Sequence, residues 1–154
     1  MRVLMVCLGN ICRSPIAEGV MRHVAFQHNL NWSIESAGTE SYHIGEAPHN
    51  YSQKVCHKYG IDISQQRARK FVPEDFNHFD KIYAMSKDVL EEIKHVSGSS
   101  FDESRISLFL NELYPGSNRS VPDPWYGPED GYEEVYDMIE KTCRKIAEKY
   151  RSQF

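Results

Sequence analysis

Apolar positions along this chain come in two styles that alternate. Short unbroken runs such as Val3-Leu4-Met5-Val6 read as strands buried on both faces, and longer stretches repeat apolar residues every three or four positions. The first run predicts a strand over 2–7. Ile16, Val20, Val24 and Gln27, widened by Ala17 and Met21, predict a helix over 15–28. Ser33 to Gly38 reads as a short second strand ending in a loop. Pro48 opens a second helix that runs to about Tyr59 and is stopped by Gly60. Val72 to Phe76 suggests one helical turn, Asp80 to Met85 a third strand, Lys87 to Val96 a helix, and Arg105 to Leu110 a fourth strand. A last helix over 131–151 keeps Tyr132, Val135, Tyr136, Ile139, Cys143, Ile146, Ala147 and Tyr150 on one face.

Strands that alternate with helices imply an α/β fold. The expectation is a four-stranded parallel sheet with helices on both faces, doubly wound in the flavodoxin-like manner, in one domain over 1–154. Such sheets bind ligands beyond the carboxyl ends of their strands. The segments 36–47 and 111–130 are long for loops in a compact domain, which marks them as candidates for function.

Composition narrows the classes. The 40% hydrophobic and 26% charged residues are those of a globular chain. A net charge of −4 argues against nucleic acid or an anionic membrane as the main partner, and the basic run Arg67-Ala68-Arg69-Lys70 reads as a solvated face. The four cysteines, Cys7, Cys12, Cys56 and Cys143, are expected free in a reducing cytoplasm, because no secretory signal or membrane-length apolar run is visible. The seven histidines are scattered, and no Cys/His spacing matches a zinc pattern, so no metal is expected.

The chemistry concentrates in Cys7-Leu8-Gly9-Asn10-Ile11-Cys12-Arg13-Ser14, between the first strand and the Pro15-led helix. A strand, a tight loop and a helix N-terminus make a cradle of inward-pointing N–H groups that suits a phosphate-sized dianion. Cys7 at its start is the candidate nucleophile, since the same positive environment favours a thiolate. Arg13 can grip two phosphate oxygens with its planar fork. Ser14 can donate to the sulfur or cap the helix. Gly9 and Asn10 suit a backbone that needs positive φ. The plain alternative is a buried structural Cys7 beside a surface Arg13.

Phosphoryl transfer to sulfur also needs a proton donor for the leaving group. Pro122-Asp123-Pro124 presents one carboxyl on a stiffened loop, with Glu129 and Asp130 as nearby substitutes, although Asp-Pro pairs also serve ordinary turns. Trp125, Tyr126 and Tyr42 are candidate walls for a flat substrate ring, or simple packing. Cys12 is either a small filler or a thiol that traps oxidised Cys7. Cys56 and Cys143 lie in helical patterns and read as core.

Together these residues resemble the low-molecular-weight protein tyrosine phosphatase family over nearly the whole chain. The resemblance rests on Val6 to Glu18, on Glu35-Ser36-Ala37-Gly38-Thr39, and on Asp123-Pro124-Trp125-Tyr126-Gly127. It implies hydrolysis of phosphotyrosine in proteins through a phosphocysteine, with Cys7 as nucleophile, Arg13 as clamp and Asp123 as general acid. It also implies substrate contacts from Leu8, Gly9, Asn10, Ile11, Cys12, Ser14, Tyr42, Trp125 and Tyr126, support from Ser36, inorganic phosphate as product, no cofactor, and a monomer or weak dimer. One departure is Gln65-Gln66-Arg67-Ala68-Arg69, where many members carry a His in a Gly-His-Arg-Ala-Arg stretch; if that His buttresses the loop, the Gln66 amide takes its place.

Two relatives share the Cys-x5-Arg loop. Arsenate reductases add a redox cysteine pair after the third strand, and 80–96 contains no cysteine. Protein-arginine phosphatases carry Thr where this chain has Ile11, and an apolar residue there favours an aryl phosphoester. More distant readings are a Cys7–Cys12 redox protein, whose spacing is not Cys-x-x-Cys, and a phosphate-binding module without catalysis, which would not need all of Cys7, Arg13 and Asp123. A nucleotide-binding loop would end in Gly-Lys-Ser/Thr, which is missing.

Overall fold

A computed structural model describes residues 1–152. Four strands, β1 (Arg2–Cys7), β2 (Ser33–Gly38), β3 (Lys81–Ala84) and β4 (Ile106–Leu108), form one sheet in the order β2-β1-β3-β4, with every pair parallel. The order reverses beside β1, so the chain leaves β1 at the switch point between the two halves of the sheet.

Alternate residues of each strand enter different cores. Val3, Met5 and Cys7 of β1, with Tyr83 of β3, pack under α1 (Arg13–Gln27), α2 (Asn50–Lys58) and α5 (Gly131–Tyr150). Leu4, Val6, Ile82 and Ala84 point the other way, into a second cluster with Phe76 of α3 (Asp75–His78), Val89 and Ile93 of α4 (Lys87–Ser97), and Phe71 and Phe79. Both faces are thus covered, as the unbroken apolar runs imply. The predicted face of α5 is the buried one, from Tyr132 through Tyr150. No helix among the described residues is long and apolar enough to cross a membrane.

Several boundaries differ from the sequence expectation. α1 begins at Arg13, two residues before Pro15, so Arg13 belongs to the helix that forms the cradle. α2 begins at Asn50 rather than Pro48, because the His49 side chain accepts the Tyr51 N–H as a cap. β4 stops at Leu108. Phe109 and Leu110, expected as strand, form a tight helical turn over Phe109–Glu112 that buries both side chains and carries Glu112 to Tyr83.

Candidate active site

Residues 8–12 turn directly from the end of β1 into α1. Asn10 takes φ 58°, the left-handed conformation that its short polar side chain tolerates. Among the described residues, no protein acceptor receives the backbone N–H groups of residues 8–12, which leaves them available to an anion. The outer ends of β1 and β2 lock this loop: Thr39 N–H donates to Cys7 O at 3.0 Å and Glu40 N–H to Leu8 O at 2.9 Å. Gly38 is required here by close approach. A Cβ on it would lie 2.8 Å from Leu8 O and 2.9 Å from Asn10 N, both backbone atoms that cannot step aside cheaply.

Cys7 and Arg13 are both buried in the protein yet line one open cleft, together with Leu8, Gly9, Ile11 and Cys12. The Cys7 Sγ is 3.0 Å from Ser14 Oγ. Behind it, Asn10 Nδ2 donates to Ser14 Oγ at 2.8 Å and to Ser36 Oγ at 2.9 Å, and Ser36 donates to Glu18 Oε1 at 2.6 Å. Asn10, Ser14 and Ser36 therefore stand behind the loop and are not among the cleft lining. Burial pushes the Glu18 carboxyl above the usual range, against the Ser36 hydrogen bond and the Arg22 ion pair at 3.0 Å, which lower it.

The opposite wall comes from the loop before α5. Val121 N–H donates to Met85 O at 2.7 Å, which ties this loop to the end of β3, and Val121 O accepts from Arg13 Nη1 at 3.1 Å. Asp123 follows, with Oδ2 3.5 Å from Arg13 Nη2 and Oδ1 accepting the Trp125 N–H at 3.1 Å. Asp123 thereby caps the helical turn Pro124–Tyr126 that presents Trp125 and Tyr126 to the cleft. Tyr42 and Tyr126 stand at the mouth with 79% and 81% of their surface exposed, which leaves their rings free to cover a ligand. Glu129, by contrast, is held by Lys54 of α2, and neither Glu129 nor Asp130 lines the cleft.

Two lining residues, Glu40 and His43, are absent from the sequence reading. Glu40 lies two residues before Tyr42 and His43 directly after it, in the loop already marked as long, and that placement is their only signal in the sequence. His43 Nδ1 lies 2.9 Å from Glu46 Oε2, and its ring packs 5.8 Å from that of Trp125. His49, also unforeseen, stacks on Tyr132 and meets Trp125 edge-on at 5.2 Å; burial holds it below the ordinary histidine range. Cys12 is turned toward Tyr132, with Sγ 3.5 Å from Oη, and burial pushes its thiol up to about 12.

Gln66 does not reach the phosphate loop. Its Nε2 donates to Pro15 O at 3.1 Å in the first turn of α1, and its Oε1 is buried without a partner. Asn10 in the loop is held instead by its Nδ2 donating to Ser14 Oγ and Ser36 Oγ and by its Oδ1 accepting the Arg69 backbone N–H at 3.0 Å.

Comparison with known proteins agrees with this arrangement. Residues 2–153 match the family model described as low molecular weight phosphotyrosine protein phosphatase. The human protein of that name is 38% identical over 150 residues, which cover 96% of this chain and 94% of the relative. A crystal structure of the protein tyrosine phosphatase from Entamoeba histolytica superposes with a TM-score of 0.90 at 36% identity, covering 99% of this chain and 97% of that one. The Drosophila arginine phosphatase superposes with a TM-score of 0.89 at 30% identity, with both chains fully covered. With a family match over almost its whole length and a cleft that gathers a cysteine, an arginine and an aspartate, the chain belongs to the low molecular weight phosphotyrosine protein phosphatase family.

Proposed function

We propose that Cys7 is the nucleophile of a protein-tyrosine phosphatase that works through a phosphocysteine, with Arg13 as phosphate clamp and Asp123 as general acid. The single observation that supports this most is that all three side chains line one cleft whose mouth is aromatic. The loop N–H groups and the Arg13 fork hold the non-bridging oxygens of the phosphoryl group. Cys7 sulfur attacks phosphorus, the bond to the aryl oxygen breaks, and Asp123 gives its proton to that oxygen. Asp123, now a carboxylate, takes a proton from water as the water attacks phosphocysteine. Inorganic phosphate leaves and the thiolate returns. The Ser14 hydroxyl, 3.0 Å from the sulfur, steadies the thiolate at both ends of the cycle.

Phosphotyrosine in proteins suits the site because a flat ring entering toward Cys7 would lie among Tyr42, Trp125 and Tyr126, which line the same cleft. Aromatic contacts of this kind add roughly 0.5–1.5 kcal/mol beyond the area buried. Hydrolysis of phosphoarginine is the second reading, raised by the similarity to the Drosophila arginine phosphatase. Ile11, an apolar cleft residue, favours the aryl ester. An arsenate-reductase relay gains no support: the remaining cysteines, Cys56 and Cys143, are buried in α2 and α5 and are raised by burial. Turnover of matched peptides bearing phosphotyrosine, phosphoserine or phosphoarginine tests the proposal. It expects the highest kcat/KM on phosphotyrosine; a higher value on phosphoarginine would replace it with the second reading, and equal values on phosphotyrosine and phosphoserine would refute it.

A further inference from the structure

Hydrogen bonds behind the loop run in one direction. Ser36 spends its proton on Glu18, so it accepts from Asn10 Nδ2, and the same Nδ2 group donates to Ser14 Oγ. The Ser14 proton is then left for Cys7 Sγ at 3.0 Å, the next acceptor being Ala37 O at 3.5 Å. All of this depends on which way the Asn10 amide faces. One bond decides it: Oδ1 accepts the Arg69 backbone N–H. With the amide flipped, Nδ2 would face that N–H donor to donor, and Ser14 would lose the bond that orients it.

The Arg69 N–H is itself held by a strap. Gly38 N–H donates to Arg69 O at 2.9 Å and Phe71 N–H to Gly38 O at 2.7 Å, so the strap lies along the end of β2. The Arg69 side chain then forks onto Asp75, Nη1 to Oδ2 at 3.1 Å and Nη2 to Oδ1 at 3.2 Å. Asp75 is buried and its Oδ2 also accepts the Val72 N–H at 3.0 Å, so it fastens both the start and the end of the turn that follows the strap. A two-point fork fixes orientation in a way that a single ammonium does not. Neither Arg69 nor Asp75 lines the cleft.

We infer that the Arg69–Asp75 pair is a positioning device for the nucleophile: it aims the Arg69 N–H at Asn10, and through Asn10 and Ser14 it sets the hydrogen bond on the Cys7 sulfur. This rests on the proposal that Cys7 is the nucleophile. The test uses the full chain with Asp75→Asn, which keeps the shape and loses the charge, and Arg69→Lys, which keeps the charge and loses the fork. Three quantities are measured: kcat and KM on an aryl phosphate, inhibition by inorganic phosphate, and the rate at which iodoacetate alkylates Cys7 at neutral pH, located by peptide mass. The expected result is that kcat and alkylation fall together by about tenfold, within the coupling usual for one hydrogen-bond network, while phosphate inhibition stays within about twofold. Asp75→Asn placed on Asn10→Ala should add nothing further, because both act on the same bond. A lowered melting temperature with alkylation and kcat unchanged would make the pair merely structural and overturn the inference, and so would losses that multiply in the double variant. Should Asp75→Asn not fold, Arg69→Lys carries the same comparison. The nucleophile assignment fails separately, and only if wild-type turnover survives complete alkylation of Cys7.

Discussion

Asp123 faces Arg13 across the cleft, its Oδ2 3.5 Å from the guanidinium Nη2, while the other end of the same guanidinium donates to Val121 O two residues earlier in the same loop. Arg13, the proposed phosphate clamp, therefore also ties down the loop that carries Asp123. On the proposed mechanism, a phosphoryl group held by Arg13 would lie beside the carboxyl proposed to protonate the departing oxygen, and one buried side chain serves both contacts.

Removing that carboxyl should cost rate and spare affinity. Asp123→Ala or Asp123→Asn is expected to lower kcat on phosphotyrosine by ~10²–10⁴-fold with little rise in KM, because the loop around Cys7 still holds the phosphate. The loss should shrink on aryl phosphates with acidic leaving groups, which need less help from a proton. Steady-state kinetics across a leaving-group series checks this; a kcat unchanged within about twofold throughout would move the role to another carboxyl.

Gly38→Ala tests the close approach of β2 to the loop. The added methyl meets Leu8 O and Asn10 N below 3.0 Å, so the loop itself must shift. Overpacking of this kind costs about 1–3 kcal/mol. The expected outcome is a lowered melting temperature, a reduced kcat and weaker phosphate inhibition. A variant with wild-type kinetics would show that the loop tolerates displacement.

Peroxide should inactivate the protein reversibly through a Cys7–Cys12 disulfide. Oxidation of the Cys7 thiolate gives a sulfenic acid; Cys12 sulfur then displaces hydroxide as its own proton leaves, with water as the by-product. Burial keeps the Cys12 thiol protonated at neutral pH, its value pushed up to about 12. Since only the thiolate attacks, disulfide formation should accelerate as pH rises through the neutral range. Cys12→Ser should retain turnover and lose recovery with a thiol reductant. Peptide mapping that finds no Cys7–Cys12 link after mild oxidation would end this idea.

Acid stability should depend on Glu112. Burial raises its carboxyl, but hydrogen bonds from Tyr83 Oη at 2.6 Å and Lys149 Nζ at 2.9 Å lower it further, so the folded value lies below the ordinary 4.5. A depressed carboxyl contributes stability that is complete above the unfolded value and is lost as pH falls through the folded one. Glu112→Gln is expected to destabilise the fold at neutral pH by roughly 1.5–3 kcal/mol, the range for hydrogen bonds to a charged group. The gap to wild type should narrow as pH falls below the ordinary 4.5 and close as it passes through the lower folded value. Denaturation at several pH values checks it, and a gap independent of pH would place the cost in packing instead.

Much of this protein is legible in its amino-acid sequence. The run Val3–Val6, the loop Cys7–Ser14 and the start of α1 are neighbours in sequence, and the anion cradle they form is a property of local backbone geometry. The alternation of strand and helix likewise implied the parallel sheet, and the buried face of α5 followed from its period. Asp123, Trp125 and Tyr126 were marked by their own residue types, and the structure brings them to Cys7 from more than a hundred residues away. What the tertiary structure alone decided is the set of partners. Nothing in a linear reading of Asn10 says that its amide will meet Ser36 of β2 and the Arg69 N–H of a strap, or that Ser36 will spend its proton on Glu18. Nor does it say that Gln66 will settle on Pro15 O, or that Glu40 and His43 will line the cleft. Local conformation is dictated within a few residues by sterics and hydrogen bonding along the chain. A side-chain partner is selected by how whole elements pack, and that depends on every residue between them.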